Sequence, residues 1–323
     1  MRRRQFLLSA TATSITTGLP GLSLAQSDKI IRMNIGFAAG TTLDTVTRVL
    51  AEKMRVSLNQ PIIVENRPSA GGRVAAELLK SAPADGTVLM PTPIVVPVLA
   101  PMVFSKLNYN PQTDMVPVGL MANFYFALGV KPDHPARNIR ELVAWMKANP
   151  DKANFGSPAP GSLPHFFGLL LGSQAGANMV HVPYNGGGPL QMGVMSGDIP
   201  IGIDVVAEFV QHHRGGKVRV LATSGTVRSS ALPDVPTFAE QGFPNIVGNG
   251  WFGLYAPPKT SADEVSRVNR ALNTALGAPD LLERFKSLAI EPGGGSAQVL
   301  AETMERDRAR WGPIVKASGF RVD

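Results

Sequence analysis

Cysteine is absent from the 323 residues of this chain. Its absence excludes disulfides, thiol nucleophiles, iron–sulfur clusters and zinc sites built on cysteine. Apart from Arg2, Arg3 and Arg4 near the start, the basic residues are scattered without a run of Lys or Arg and without interleaved aromatic residues, which argues against a nucleic-acid partner. With 44% hydrophobic and 17% charged residues, it has the composition of a globular protein of one large or two medium domains.

Residues 1–25 have the features of an export signal. Residues 3–7 (RRQFL) fit a twin-arginine pattern, a modestly apolar stretch follows, and residues 23–25 (SLA) supply the small side chains that a signal peptidase recognises. The apolar stretch is too short and too rich in Thr and Ser to anchor the chain in a bilayer. We therefore expect cleavage after Ala25, export by the twin-arginine rather than the general route, and a periplasmic protein without membrane insertion.

Alternating strand and helix patterns after the signal predict an α/β fold. Strands are expected at residues 30–37, 61–65 and 87–90, with helices between them, and this order calls for a mostly parallel sheet covered by helices. Two further strands are expected at 116–121 and 125–130. A second α/β unit then begins.

The helical patterns at the end of the chain determine the predicted domain organisation. The helices predicted at 262–276, 281–288 and 297–317 need a sheet to pack against. If the chain returns to the first domain, the sheet of that domain is available to them. The predicted division is residues 26–124 for domain 1, 125–247 for domain 2 and 248–323 for the return to domain 1. Crossovers near 122–126 and 247–251 would form a two-strand hinge. The three glycines at 293–295 are expected to form a turn between helices.

Three loops between residues 154 and 204 each have the composition of an anion site. A glycine-serine turn that opens a helix leaves backbone N–H groups at the positive end of the helix dipole, where a carboxylate or phosphate binds. Ends of strands followed by helix starts are also where open α/β sheets bind ligands. Each loop alone fits an ordinary connection, and Asp204 could simply cap the next helix. The residues concerned are Ser157, Gly161, Ser162, Gly186, Gly187 and Asp204.

A fourth loop, at residues 38–42, follows the first predicted strand and turns into a helix. Thr41 and Asp44 have the spacing of a capping box, so we assign Asp44 to the helix cap rather than to a ligand.

Several motifs occur in the order found in one known family. They are IIVENRP at 62–68 with AGG at 70–72, PADG at 83–86, NFGS at 154–157 with GS at 161–162 and His165, HVPY at 181–184 with Gly186, ALPDVPT at 231–237 and WFGL at 251–254. On these motifs the chain resembles, over essentially its whole mature length, the Bug-type periplasmic solute receptors, which are the substrate-binding proteins of tripartite tricarboxylate transporters.

The resemblance implies a two-domain periplasmic-binding-protein (Venus flytrap) fold that closes on a small carboxylate and presents it to a membrane permease. It implies a monomer that is not an enzyme and has no cofactor or metal. By position, loop 37–42 would hold one carboxylate across the hinge, the second-domain loops another, and Asp204 an amino or hydroxyl group. The ligand-binding residues so predicted are Phe37, Ala39, Gly40, Thr41, Thr42, Thr92, Ser157, Gly161, Ser162, His165, Gly186, Gly187 and Asp204.

Three departures from the family pattern leave the ligand open, and one of them is the presence of Pro158 and Pro160, which stiffen the serine loop. Residues 38–41 read AAGT where the family usually has prolines and a glycine pair, and Val205 follows Asp204 where an Asn is common. Di- and tricarboxylates, acidic amino acids and aromatic carboxylates all remain candidates. Phe37 and Trp251 could wall an aromatic ring, although the buried core is the expected place for both.

The sequence raises three alternatives to a transport receptor. Ser162 and His165 raise the possibility of a serine hydrolase, but the nucleophile elbow G-x-S-x-G is absent around Ser157 and Ser162. A metal site on His165, His181 and Asp204 lacks the usual ligand spacings. A periplasmic sensory partner that binds the same ligand would need the same clamshell, so sequence does not separate it from a transport receptor.

Overall fold

The computed structural model describes residues 29–322. The predicted export signal and its cleavage point therefore lie outside the described residues. No helix in the described range is both long and apolar enough to cross a bilayer.

The described chain forms a mixed α/β structure. Its strands are β1 (Ile31–Ile35), β2 (Ile62–Asn66), β3 (Val88–Pro93), β4 (Val116–Val130), β5 (Asn154–Ser157), β6 (Val180–Pro183), β7 (Ile201–Val205), β8 (Arg219–Thr223), β9 (Asn249–Ala256) and β10 (Ile290–Gly294). Its helices are α1 (Thr42–Leu58), α2 (Arg73–Lys80), α3 (Ala100–Val103), α4 (Pro111–Asp114), α5 (Ile139–Ala148), α6 (Leu163–Ala175), α7 (Gly187–Ser196), α8 (Val206–Arg214), α9 (Ala262–Leu276), α10 (Pro279–Ser287) and α11 (Ala297–Ser318).

The strands join in the order β2-β1-β3-β9-β4-β7-β5-β6, and β8 and β10 also pair with β4. The pairs β1/β2, β1/β3, β5/β6 and β5/β7 are parallel, as expected from the βαβ pattern. All pairs that involve β4 or β9 are antiparallel. The sheet is therefore parallel in its outer parts and antiparallel in the middle.

Strand β4 runs through both halves of the sheet. It pairs with β9 as far as Tyr125, and with β7 from Phe126 onward. The two strands expected at 116–121 and 125–130 are thus one strand of 15 residues, because residues 122–124 stay paired with β9 and β10. We call the part with β1–β3 and β9–β10 the first lobe and the part with β5–β8 the second lobe.

Helix α1 shows how local sequence positions the first-lobe loop. Thr41 caps the helix by accepting from the Asp44 N–H at 3.4 Å. Asp44 accepts from the Gly40 N–H at 2.9 Å and from Arg48 Nε at 3.0 Å. Burial opposes ionisation of Asp44, but the hydrogen bonds from Arg48, Gly40 and Asn66 outweigh it and lower the pKa of this carboxyl. Thr41 caps the helix as predicted, whereas the Asp44 carboxylate binds the N–H of Gly40, one residue before the N-cap, rather than that of Thr41.

One large hydrophobic core extends through both lobes, and a smaller cluster lies within the second. Trp251 and Trp311 are among its largest fully buried side chains. Trp251 donates from Nε1 to Asp307 Oδ2 at 2.7 Å, so it belongs to the core, as expected, and is not available to wall a ligand. Phe37 is half-buried, and its ring lies against Gly72.

Candidate functional site

The first-lobe part of the candidate site is the loop between β1 and α1. Ala39 and Gly40 are exposed, and Gly40 has φ +80°, a left-handed conformation that favours glycine. The Gly40 N–H is already bound to Asp44, and the Thr41 hydroxyl donates to Ala38 O at 3.0 Å.

Thr42 joins the two lobes. Its hydroxyl donates to Glu208 Oε1 at 2.9 Å, and Glu208 lies in the first turn of α8 in the second lobe. Glu208 was not among the residues predicted from sequence. The only sequence signal for Glu208 is its place in the first turn of the helix that follows Asp204. That signal is weak, because acids are common in the first turn of a helix, where they complement the helix dipole.

Asp204 is the one acidic residue of β7, and 3% of its surface is exposed. Its Oδ1 accepts from the Val205 N–H at 2.8 Å, and its Oδ2 has no hydrogen-bond partner among the described residues. Burial is the main cause that raises the pKa of Asp204 well above its usual range, and the nearby Glu208 carboxylate adds to it. A buried carboxyl oxygen without a partner is costly, which makes it a candidate for contact with a ligand.

Gly187 lets the two acids approach the start of α7. A Cβ at this position would lie 2.8 Å from Asp204 Oδ2 and 3.4 Å from Glu208 Cδ. At Gly188 the corresponding position has no atom within 4 Å. A side chain at 187 would therefore displace the Asp204 carboxylate, whereas 188 has room for one.

The loops after β5 and β6 are bonded to each other. The Tyr184 N–H donates to Ser157 O at 3.0 Å, and the Gly186 N–H donates to Pro158 O at 2.9 Å. Because β6, β5 and β7 are neighbouring parallel strands, their carboxyl ends lie at one edge of the sheet. This edge holds the second-lobe residues predicted from sequence: Ser157, Gly161, Ser162, His165, Gly186, Gly187 and Asp204.

Helices α6 and α7 both begin at this edge without a side-chain cap. Ser162 occupies the N-cap position of α6, but its hydroxyl donates to Ala159 O at 2.6 Å instead. Helix α1, by contrast, is capped by Thr41. Uncapped first-turn N–H groups at the positive end of a helix dipole are suited to an anion.

Ser157 and His181 form the serine–histidine pair of this region. Ser157 Oγ lies 2.7 Å from His181 Nε2 and also donates to Ala159 O at 3.0 Å. With the single hydroxyl proton directed to Ala159 O, the tautomer that fits is the one in which His181 Nε2 carries a hydrogen and donates to the serine. This is the reverse of the direction that a general base needs to activate a serine.

His165 supports this pair rather than forming one of its own. Its ring stacks on His181 with centroids 3.8 Å apart, and its Nδ1 accepts from the Gly161 N–H at 3.1 Å. Burial lowers the pKa of His181 to about 4, and burial together with the neighbouring His181 lowers the pKa of His165 to about 3. Both rings are neutral at neutral pH. The contact considered between Ser162 and His165 is not formed, because each side chain bonds to the loop backbone.

Thr92 lies near the end of β3, the strand that runs parallel to β1 in the first lobe. It is 1% exposed in β3, opposite Gly253 of β9, and its hydroxyl has no partner among the described residues. No described group of three His, Asp or Glu residues is arranged to hold a metal ion.

Two lobes joined through shared strands, with a polar site at strand ends and helix starts, define a two-domain periplasmic solute-binding protein. Residues 46–320 match the family described as "Tripartite tricarboxylate transporter family receptor", and the chain belongs to this family. The predicted Bug-type resemblance is confirmed.

Individual relatives agree with this assignment. A Pseudomonas sp. (strain P51) protein described as "UPF0065 protein in tcbD-tcbE intergenic region" is 33% identical over 97% of this chain and 94% of its own length. The periplasmic binding protein BugD is 28% identical, with a TM-score of 0.82 over 90% of this chain and 98% of BugD. MatC from Rhodopseudomonas palustris with bound malate is 29% identical, with a TM-score of 0.81 over 88% of this chain and 98% of MatC.

Proposed function

We propose that this receptor captures a small carboxylate between its lobes and delivers it to the permease of a tripartite transporter. The observation that carries the proposal is the pair of uncapped helix starts, α6 and α7, at one sheet edge. A carboxylate held there would receive backbone hydrogen bonds at two positive helix ends, and each such bond contributes roughly 1.5 to 3 kcal/mol.

The candidate residues divide between the lobes. The loop at 37–42 holds one end of the ligand, while backbone N–H groups in the first turns of α6 and α7, that of Gly187 included, hold a carboxylate at the second-lobe edge. Gly161, Ser162 and Gly186 shape this edge, because their donors bond to His165, Ala159 and Pro158. Ser157 is fully buried and bonded to His181, so it acts by shaping its loop. Asp204 accepts from an amino or hydroxyl group of the ligand through its unpartnered Oδ2.

The proposed moving units are residues 26–124 with 248–323, and residues 125–247. The change of partners on β4 between Tyr125 and Phe126 and the start of β9 at Asn249 support a hinge at 122–126 and 247–251. Closure about this hinge brings the first-lobe loop onto a ligand already docked on the second lobe. The protein acts as a monomer in the periplasm.

Di- and tricarboxylates, acidic amino acids and aromatic carboxylates are the proposed ligand classes. The malate bound by MatC falls in the first of these classes. Catalysis is not part of the proposal, because the Ser157 hydroxyl is inaccessible and no carboxylate bonds to His181 among the described residues. A triad needs an exposed nucleophile and an oriented base.

A thermal-shift screen tests the proposal. The mature protein is unfolded, refolded to remove carried-over ligand, and screened at neutral pH against a carboxylate library. A ligand at a hundred times its dissociation constant adds about 2.7 kcal/mol of stability and raises the melting temperature. If the refolded protein is native, no carboxylate shifts it and an ester is hydrolysed, the receptor proposal is wrong.

A further inference from the structure

The C-terminal tail is fastened to the first lobe. Helix α11 ends at Gly319, whose φ of +67° reverses the chain. The Val322 N–H then donates to Val103 O at 2.7 Å, and Val322 forms a parallel bridge with Phe104. The tail therefore ends beside α3, which belongs to the chain segment directly after β3.

The ring of Phe320 reaches from this tail to the second lobe. It packs edge-on against His165 of α6, with centroids 4.6 Å apart and planes at 88°. A Cβ on Gly161 would lie 3.3 Å from Phe320 Cε1 and 3.3 Å from Val103 Cγ2. The loop that begins α6 thus rests on a surface made of Phe320 and Val103.

A series of direct contacts links Phe320 to the loop at residues 157–161, which belongs to the candidate ligand site. His165 stacks on His181 at 3.8 Å, and His181 Nε2 lies 2.7 Å from Ser157 Oγ. His165 also accepts the Gly161 N–H at 3.1 Å. Both ends of the loop 157–161 are therefore bonded to histidine rings, and one of these rings, His165, packs against Phe320.

We propose that Phe320 is a positioning residue for carboxylate binding. Its ring fixes His165, and through His165 it fixes the backbone of residues 157–162 at the start of α6. The tail is bonded to the first lobe, and the Phe320 ring packs on His165 of the second lobe. The packing of Phe320 against His165 is therefore coupled to lobe closure. Phe320 does not touch the ligand, and its effect is greatest on the closed, ligand-bound form. The inference rests on the proposed function.

Substitutions at Phe320 test the coupling. Phe320→Leu keeps most of the apolar volume but removes the aromatic edge, Phe320→Tyr keeps the ring, and Arg321→Ala is a matched control at an exposed neighbour. Phe320→Leu should weaken the binding of malate, adipate or aspartate, whichever the wild type binds, by roughly two- to tenfold. This range corresponds to the interaction free energy of one aromatic pair. Phe320→Tyr and Arg321→Ala should bind as the wild type does.

A second readout does not depend on the ligand. Ring resonances of His165 and His181, measured by NMR in the ligand-free protein, should shift in Phe320→Leu and stay in place in Arg321→Ala. If Phe320→Leu only lowers the melting temperature while affinity and both histidine signals are unchanged, Phe320 is a packing residue and the proposal is wrong. If the wild type binds neither these probes nor any other member of the carboxylate library, the proposed function fails, and unshifted histidine signals would separately overturn the link from Phe320.

Discussion

Thr42 and Glu208 lie 166 positions apart in the chain and are joined by a hydrogen bond of 2.9 Å between the Thr42 hydroxyl and Glu208 Oε1. Thr42 begins the helix after the first-lobe loop, and Glu208 lies one turn beyond Asp204 in the second lobe. The bond therefore connects two parts of the candidate site that belong to different lobes, and under the proposed hinge motion it would favour the closed arrangement.

Replacing Thr42 with Val should weaken ligand binding by up to roughly tenfold, the effect of losing one hydrogen bond. Closure would lose the contact to Glu208, so the ligand should dissociate faster with little change in its association rate. Stopped-flow binding measures both rates. Thr45→Val, on the same helix, is the matched control. Equal rates in wild type and Thr42→Val would show that the bond does not contribute to closure.

Gly187→Ala should reduce binding strongly, because the new methyl group would lie 2.8 Å from Asp204 Oδ2. Asp204 or the start of α7 would have to move. Gly188→Ala adds the same group one residue further on, where no atom lies within 4 Å. Calorimetric titration of both variants compares them directly. Similar affinities for the two would contradict the place assigned to Gly187 in the site.

Asp204→Asn should stabilise the ligand-free protein at neutral pH. The pKa of Asp204 is raised in the folded state, so the folded protein binds a proton more readily than the unfolded chain. Its contribution to stability is present below the unfolded pKa of about 3.9 and is lost as the pH rises toward the folded pKa. The asparagine does not titrate, so its contribution to stability does not change with pH. Melting temperatures of the two proteins between about pH 4 and pH 8 should diverge as the pH rises, and parallel curves would contradict the prediction.

Asp204→Asn should weaken the binding of some ligands much more than that of others. A ligand with an ammonium group should bind Asp204→Asn roughly tenfold or more weakly, because a charge-assisted bond is lost. A plain dicarboxylate should be little affected. If the variant binds a tight amino-acid ligand as well as the wild type does, Asp204 does not contact the amino group.

His181→Gln should make the protein less sensitive to acid. The folded-state pKa of His181 is lowered to about 4, whereas an unfolded histidine titrates near 6.5. As the pH falls below about 6.5, protons bind to the unfolded chain first, so stability decreases until the folded pKa is reached. Glutamine keeps an N–H donor for Ser157 but does not titrate. Urea unfolding between about pH 7 and pH 4 should show a shallower loss for the variant, and identical slopes would exclude His181 as a cause.

Local patterns in the sequence predicted the parts of this structure that depend on neighbouring residues. The βαβ order, the cap on α1 by Thr41 and the burial of Trp251 follow from periodicity, capping chemistry and hydrophobicity. The gathering of the second-lobe loops at one edge follows from parallel strands.

Contacts between distant segments were missed. The bonds of Thr42 to Glu208 and of Ser157 to His181 were not predicted, because strand order decides which loops are neighbours. The glycines at 293–295 were expected to form a turn, yet β10 pairs with β4 through Gly294. A glycine-rich segment lacks strand propensity of its own and is a strand here because β4 offers a pairing edge.

The central claim is that a small carboxylate binds at the start of α6 and α7. Calorimetric titration of malate, adipate, aspartate and benzoate into the refolded mature protein, with Gly187→Ala and Gly188→Ala in parallel, tests it most directly. The account predicts saturable binding of at least one carboxylate with one site per chain, retained in Gly188→Ala and lost in Gly187→Ala. Absence of any carboxylate binding by natively folded protein, or equal binding by both variants, would contradict it.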